Sequence, residues 1–362
     1  MALRFILKKT FLKNTNNKAN IGRLKMNYKD VLKNARENLN GSCRVCDVCN
    51  GKACAGEVPG MGGKGTGQAF TINIEALEAY KLNMRVIHNA KNPDTSTELF
   101  GKKLEIPVFA APVSGTTLNM GGKFTEEEYI SWVIGGCVDA GIYPMVGDTA
   151  VDSFLITNLQ QLKKFNGEGI AIIKPWENSN VIKKIKLAEE AGAFAVGMDI
   201  DAAGLITLAL HGKPVGPKTV DEIKEIVNST KLPFILKGIM TADEAELAVE
   251  AGVNAIVVSN HGGRVLDQTP GVADVLPEIA EAVKGKVTIL ADGGVRNGVD
   301  VLKMIALGAD AVLIGRPFVT ASFGGQREGV KTYIENIKGE LKSAMVLTGC
   351  NSIKDVTSRI LY

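Results

Sequence analysis

From about residue 104 onward the sequence repeats one unit eight times: a short apolar run, a loop rich in Gly, Pro or Asp, then an amphipathic stretch. The runs are IPVFAAP, IYPMV, GIAIIK, AFAVGMD, PFILKG, AIVVSN, VTILAD and AVLIG. They are continuous rather than alternating, the pattern expected of parallel strands covered on both faces. Between them lie TEEEYISWVIGGCVDAG, NVIKKIKLAEEAG, TADEAELAVEAG and GVDVLKMIALGA. Several of these end in Ala-Gly or Leu-Gly, with glycine just past a helix C-terminus. Eight such units over roughly 220 residues predict a (β/α)8 TIM barrel. A doubly wound sheet is the competing arrangement, but its usual six or so strands leave two units spare.

In a barrel of this kind the chemistry sits where strands end and loops begin. Lys174, Asp199, Lys237, His261, Asp292 and Arg316 all fall at such ends. His261 is one of only three histidines in the chain and follows the sixth run, in VVSNHGGRVLD. Its imidazole is suited to act as a base near neutral pH. After the seventh run comes ADGGVRNG and after the eighth IGRPF. Paired glycines let backbone N–H groups approach an anion, and a following helix N-terminus adds its dipole. Two glycine turns at the seventh and eighth strands, beside Arg296 and Arg316, predict a phosphate-bearing ligand.

No apolar run is long enough to cross a bilayer. The net charge of +3 is misleading, because residues 1–25 carry seven Lys/Arg and no Asp/Glu. Without those seven the remainder stands at −4, which gives no electrostatic reason to expect nucleic acid as a partner. The leader is basic and free of acids like a transit peptide, yet it reads better as a disordered tail ahead of Met26. The expected division is therefore a tail over 1–25, a helix and cysteine segment over 26–98, and the barrel over 99–362.

The N-terminal segment contains CRVCDVCNGKAC, which places Cys43, Cys46, Cys49 and Cys54 in the spacing C-x2-C-x2-C-x4-C. Four cysteines so close together suggest a metal site in a reducing, cytoplasmic compartment rather than a disulfide framework. Successive x2 steps match the thiolate run of iron–sulfur ferredoxins, whereas structural zinc more often uses two separated knuckles. An iron–sulfur cluster is the expectation, with zinc as the alternative. The glycine-rich GEVPGMGGKGTG that follows fits no named phosphate loop and reads as a lid or turn segment near the barrel mouth. Cys137 and Cys350 read as packed thiols. His88 reads as structural and His211 as a pocket candidate on the loop after strand four.

With these segments in view, the chain resembles the FMN-dependent α-hydroxy acid oxidase/dehydrogenase family, which includes glycolate and lactate oxidases. The similarity covers about residues 99–358. It is carried by LPFILKGIMTADEAELAVEAG, IVVSNHGGRVLD, ILADGGVRNGVDVLKMIALGADAVLIGRP and LTGCNSIKDV. The resemblance implies an enzyme oxidising a 2-hydroxy acid, or a more polar anionic relative, to the 2-oxo acid. It implies FMN held by Gly293, Gly294, Arg296, Gly315 and Arg316, with Asp292 in the adjoining loop. Ala111, Pro112 and Val113 match the segment lying against the flavin ring, and Lys237 the lysine near flavin N1. His261 matches the base and Asp199 its carboxylate partner, while Arg264 offers a planar fork for a substrate carboxylate.

Three positions depart from the family pattern. Lys174 stands where the family has a tyrosine at the end of strand three, and so enters the expected substrate site. The second substrate arginine has no counterpart, Ile206 lying at that place. A gapless count from Tyr28 puts Cys43 where an N-terminal tyrosine is expected. Proximity of the cysteines to the flavin would suit a protein electron acceptor and dehydrogenase behaviour, in a homo-oligomer of the usual kind. Two alternatives stay open: an FMN-dependent isomerase resembling the type 2 isopentenyl-diphosphate isomerases, and a flavin electron carrier without turnover.

Overall fold

Residues one apart in each strand face two different cores. In a computed structural model that describes residues 26–39, 41–213 and 215–362, eight parallel strands close into a barrel. They are β1 (Val108–Ala110), β2 (Tyr143–Gly147), β3 (Ile170–Ile173), β4 (Ala195–Asp199), β5 (Phe234–Ile239), β6 (Ala255–Val258), β7 (Thr288–Ala291) and β8 (Ala311–Ile314). The ring closes where β8 pairs with β1, Val312 opposite Val108 and Ile314 opposite Ala110. Phe109, Met145, Ile172, Ile235, Val257, Leu290 and Leu313 fill the barrel interior. Their strand neighbours Val108, Val146, Ile173, Leu236, Ile256 and Val312 pack outward against the helices. With both faces apolar, the period-two alternation disappears from the sequence and the runs read as continuous.

The expected helices form between the strands, and their starts are set by side chains. Glu126–Asp139 begins at a capping box of Thr125 and Glu128, and Val220–Asn228 at one of Thr219 and Glu222. Each box satisfies two backbone donors that a helix N-terminus otherwise leaves open. The long helix after β8, Arg316–Thr348, is broken at Gln326, whose φ is 52°. Just before the break, Gly324 permits close packing of the N-terminal helix Tyr28–Asn38: a Cβ there would stand 1.9 Å from the Val31 carbonyl oxygen.

The opposite rim is closed by a short antiparallel hairpin, Thr97–Leu99 with Lys102–Leu104, whose Leu104 joins the interior cluster. At the C-terminal mouth the glycine-rich segment 56–67 crosses over the strand ends. Lys64 holds it there, its N–H donating to the Gly263 carbonyl at 2.8 Å and its Nζ to the Val265 carbonyl at 2.7 Å. The reading of this segment as a covering element at the mouth is met. Residues 1–25, read as a disordered tail, lie outside the described residues. Among the described residues no helix is long and apolar enough to cross a membrane.

Candidate active site

Parallel register brings the charged strand ends into one layer. Asp199 at the end of β4 lies opposite Lys237 in β5, and the Lys237 ammonium stands 3.3 Å from Asp199 Oδ1. Lys237 also donates to Ser259 Oγ at 3.0 Å, and Ser259 donates in turn to Asp292 Oδ2 at 2.8 Å. From the end of β3, Lys174 Nζ reaches Asp199 Oδ2 at 2.5 Å. Burial pushes the Asp199 carboxyl up, but His261, Lys174 and Lys237 outweigh it and hold the group well below the usual carboxylate range. Burial likewise works against the Lys237 ammonium, and Asp199, Asp201 and Asp292 overturn that and raise it. Lys237 is thus a fixed cation in the cavity floor. Asp292 is raised, burial prevailing over Lys237 and Ser259.

His261 adopts a left-handed backbone, φ 57°, held by its own N–H donating to Ser259 Oγ at 3.0 Å. That turn aims its ring across the mouth. Nδ1 lies 2.9 Å from Asp201 Oδ1 and 3.5 Å from Asp199 Oδ1. The expected partner Asp199 is therefore the farther carboxylate, and the hydrogen bond goes to Asp201. The reason is local: β4 ends at Asp199, and the 3-10 turn Ile200–Gly204 that follows lifts Asp201 to the height of the histidine ring. Asp199, below it, is taken by the two lysines. With Nδ1–H directed at a carboxylate, Nε2 is left for the cavity that His261 lines.

That cavity measures about 1130 Å³ with its open mouth. Ala111, Pro112, Val113, Lys174, Lys237, Asp292, Gly293, Gly294, Arg296, Gly315, Arg316 and Arg264 all line it, whereas Asp199 lies beneath. Gly293 and Gly294 have φ of 80° and 86°. A Cβ on Gly294 would meet the Asn73 carbonyl oxygen at 2.5 Å, so the approach of helix Gln68–Ala79 requires glycine there. Beside this turn Arg296 buries Nε and Nη2 with no partner. Arg316 stacks on Phe70 at 3.8 Å and donates to the carbonyls of Met61, Gly62 and Gly262. Burial, then the Arg264 and Arg296 charges, press it down to about 9. Arg264 is lowered to about 10 by burial. It donates to the carbonyls of Gly60 and Gly62 and to Asn119 Oδ1. Its fork is thus turned to the covering segment, where a carboxylate would compete with neutral oxygens. Cations that are buried, close together and bonded to neutral acceptors, with donors left over, form a site that an anion completes.

The expected cysteines do not reach this cavity. Cys43, Cys46, Cys49 and Cys54 line a second one, which shares Met61, Phe70, Gly294, Arg296 and Arg316 with the first. Among the described residues the one group of three metal-type donors within 4.8 Å of one another is Asp199, Asp201 and His261. Two lysines already neutralise that group. His211 is exposed, bonds the Thr207 carbonyl and does not line the cavity. His88 closes a local turn between Arg85 and Ala90, as expected of a structural residue. Sequence reasoning missed Asp201, although it stands two residues after Asp199 in the same DID triplet. It also missed Asp148, at the end of β2, which accepts from Trp176 Nε1 at 2.6 Å and from Lys184 at 3.0 Å. The strand-end rule that selected the other residues points to it equally.

Comparison with known proteins agrees with this geometry. The family model described as FMN-dependent dehydrogenase matches residues 60–208 and 207–362. The chain is 31% identical over 322 residues to the peroxisomal (S)-2-hydroxyacid oxidase GLO4 of Arabidopsis thaliana, covering 79% of this chain and 85% of that one. It is 31% identical over 310 residues to the L-lactate oxidase of Lactobacillus jensenii, covering 78% and 75%. Among solved structures it resembles mandelate oxidase with 3,3-difluoro-2-hydroxy-3-phenylpropionic acid, at TM-score 0.73 and 28% identity, covering 92% of this chain and 98% of that one.

Proposed function

The chain belongs to the FMN-dependent dehydrogenase family, and we propose that the cavity over its barrel mouth is where it oxidises a 2-hydroxy acid to the 2-oxo acid, with His261 as the base. The observation that carries this reading is the hydrogen bond of 2.9 Å between His261 Nδ1 and Asp201, which leaves Nε2 to the cavity. Nε2 takes up the proton the substrate loses, and the Asp201 carboxylate stabilises the imidazolium that results. Bound FMN supplies the acceptor for the substrate's electron pair. Its phosphate is assigned to Gly293, Gly294, Arg296, Gly315 and Arg316, a set whose unpartnered Arg296 donors fit an anion. Ala111, Pro112 and Val113 form the wall along which a flat ring would lie. Lys237, charged and buried, stabilises negative charge developing above it. Arg264 and Lys174 supply positive charge for the substrate carboxylate. Lys174 is held in place by Asp199, at the edge of the cavity it lines.

Anaerobic mixing with a panel of 2-hydroxy acids, followed by flavin absorbance, tests the reading directly. Bleaching by at least one acid is expected, and none by the matching 2-oxo acids. A flavin that no 2-hydroxy acid reduces sinks it. The cofactor assignment has its own check. The protein is expected to be yellow as purified and to release FMN, not FAD, on denaturation, because the glycine grip suits a terminal phosphate. Arg296→Leu removes one charge-assisted contact, worth about 1.5–3 kcal/mol. FMN titrated into the apoprotein should bind roughly 10- to 100-fold more weakly. Unchanged affinity would move the phosphate elsewhere.

A further inference from the structure

The four N-terminal cysteines play no part in the barrel site, yet they converge on one space. Cys43, Cys46, Cys49 and Cys54 all line the second cavity, about 2110 Å³ with its open mouth, and none is in a disulfide. We propose that this cavity houses an iron–sulfur cluster of the cubane type, ligated by these four thiolates.

Four observations support the assignment. The spacing C-x2-C-x2-C-x4-C delivers three thiols from one tight loop, the C-x2-C-x2-C run that ligates clusters in ferredoxins, and a fourth from the turn after it. The fourth cysteine closes a 3-10 turn, Lys52–Cys54, entered through Gly51 at φ 82°. Second, no three of these sulfurs stand within 4.8 Å of one another. A single zinc with bonds of about 2.3 Å would need its thiolates drawn to under ~4 Å apart, closer than any three of them stand here. Third, the Val45 N–H donates to Cys43 Sγ at 3.4 Å, a bond of the kind that stabilises cluster-bound sulfur. Fourth, the segment has few apolar anchors: of residues 41–60 only Val45 and Gly51 are buried, and polar contacts hold it, Arg36 donating to the Arg44 and Val45 carbonyls and Arg44 to Glu57. Ligation would add a tie of its own to these contacts.

The position adds a consequence. Phe70, Arg296 and Arg316 line both cavities, so the cluster lies behind the wall that grips the phosphate. Arg316 and Arg296 face it with positive charge, which complements a thiolate-ligated cluster of net negative charge.

The test uses the full chain, purified without oxygen and then incubated with ferrous iron, sulfide and a thiol reductant. About four iron and four acid-labile sulfide per chain are expected. Cys46→Ser/Cys49→Ser should lose most of that iron and sulfide while retaining FMN, and Cys350→Ser, which alters a buried thiol outside the cavity, should keep both. One zinc per chain without sulfide overturns the proposal, as does a chain that takes up no iron. Iron retained in full by Cys46→Ser/Cys49→Ser overturns it as well. The readout is iron and sulfide, so it is independent of whether any 2-hydroxy acid is oxidised.

Discussion

His261→Gln is expected to keep its FMN and to lose substrate-driven flavin reduction by about 10²- to 10⁴-fold, the usual contribution of a positioned general base. Glutamine preserves the size of the side chain and its ability to hydrogen-bond Asp201, but it takes no proton. The proposed phosphate grip is Gly293, Gly294 and Arg296, so the loss should appear in the rate of bleaching and not in FMN content. Rapid mixing with the best acid of the panel measures it. Reduction at the parent rate would mean that another group is the base. Asp201→Asn should lower the same rate, because it takes the nearer carboxylate from the histidine and leaves only Asp199 at 3.5 Å to stabilise its charged form. Asp199→Asn tests whether the farther carboxylate carries part of that duty.

The second large effect concerns stability. Asp199→Leu removes the carboxylate shared by Lys174 and Lys237, whose side chains are 9% and 4% exposed. Breaking a buried pair from one side typically costs about 3–5 kcal/mol, because a charge is left without compensation. The double variant Lys174→Met/Asp199→Leu should recover most of that, since an apolar pair of similar volume is often neutral or better. Urea unfolding at one FMN concentration measures both, with the FMN affinity of each variant determined alongside so that cofactor stabilisation can be subtracted. Because the folded Asp199 carboxyl is held low, its contribution is complete above the ordinary carboxylate value of about 4 and is lost as the pH falls below it. The deficit of Asp199→Leu should therefore be constant near neutrality and shrink in acid. A single variant as stable as the parent would remove the pair from the account of how these strand ends are held.

The barrel was legible because a parallel strand buried on both faces leaves an unmistakable record, a short continuous apolar run. All eight expected runs became the eight strands. The glycine turn after β7 was legible for a related reason. Gly293 and Gly294 are demanded by positive φ and by the approach of Asn73, constraints that act on residue type directly. The strand-end rule found Lys174, Lys237, His261 and Asp292 from position alone. The family resemblance paired His261 with Asp199, and the 3-10 turn after β4 puts Asp201 nearer, at 2.9 Å against 3.5 Å.

What the sequence by itself determined was therefore whatever depends on burial periodicity and backbone conformation: eight strands, the glycine turns, and the set of groups that meet at one mouth. Pairing within that set was decided by tertiary structure. Asp199 is claimed by Lys174 and Lys237 because parallel register puts the three at one level, and Asp201 reaches His261 because the turn after β4 climbs above that level. Arg264 turns to the carbonyls of residues 60 and 62 because the glycine-rich segment, far away in sequence, folds over it. Side chains a few ångströms long choose partners over fractions of an ångström, and those distances exist only once distant segments have packed.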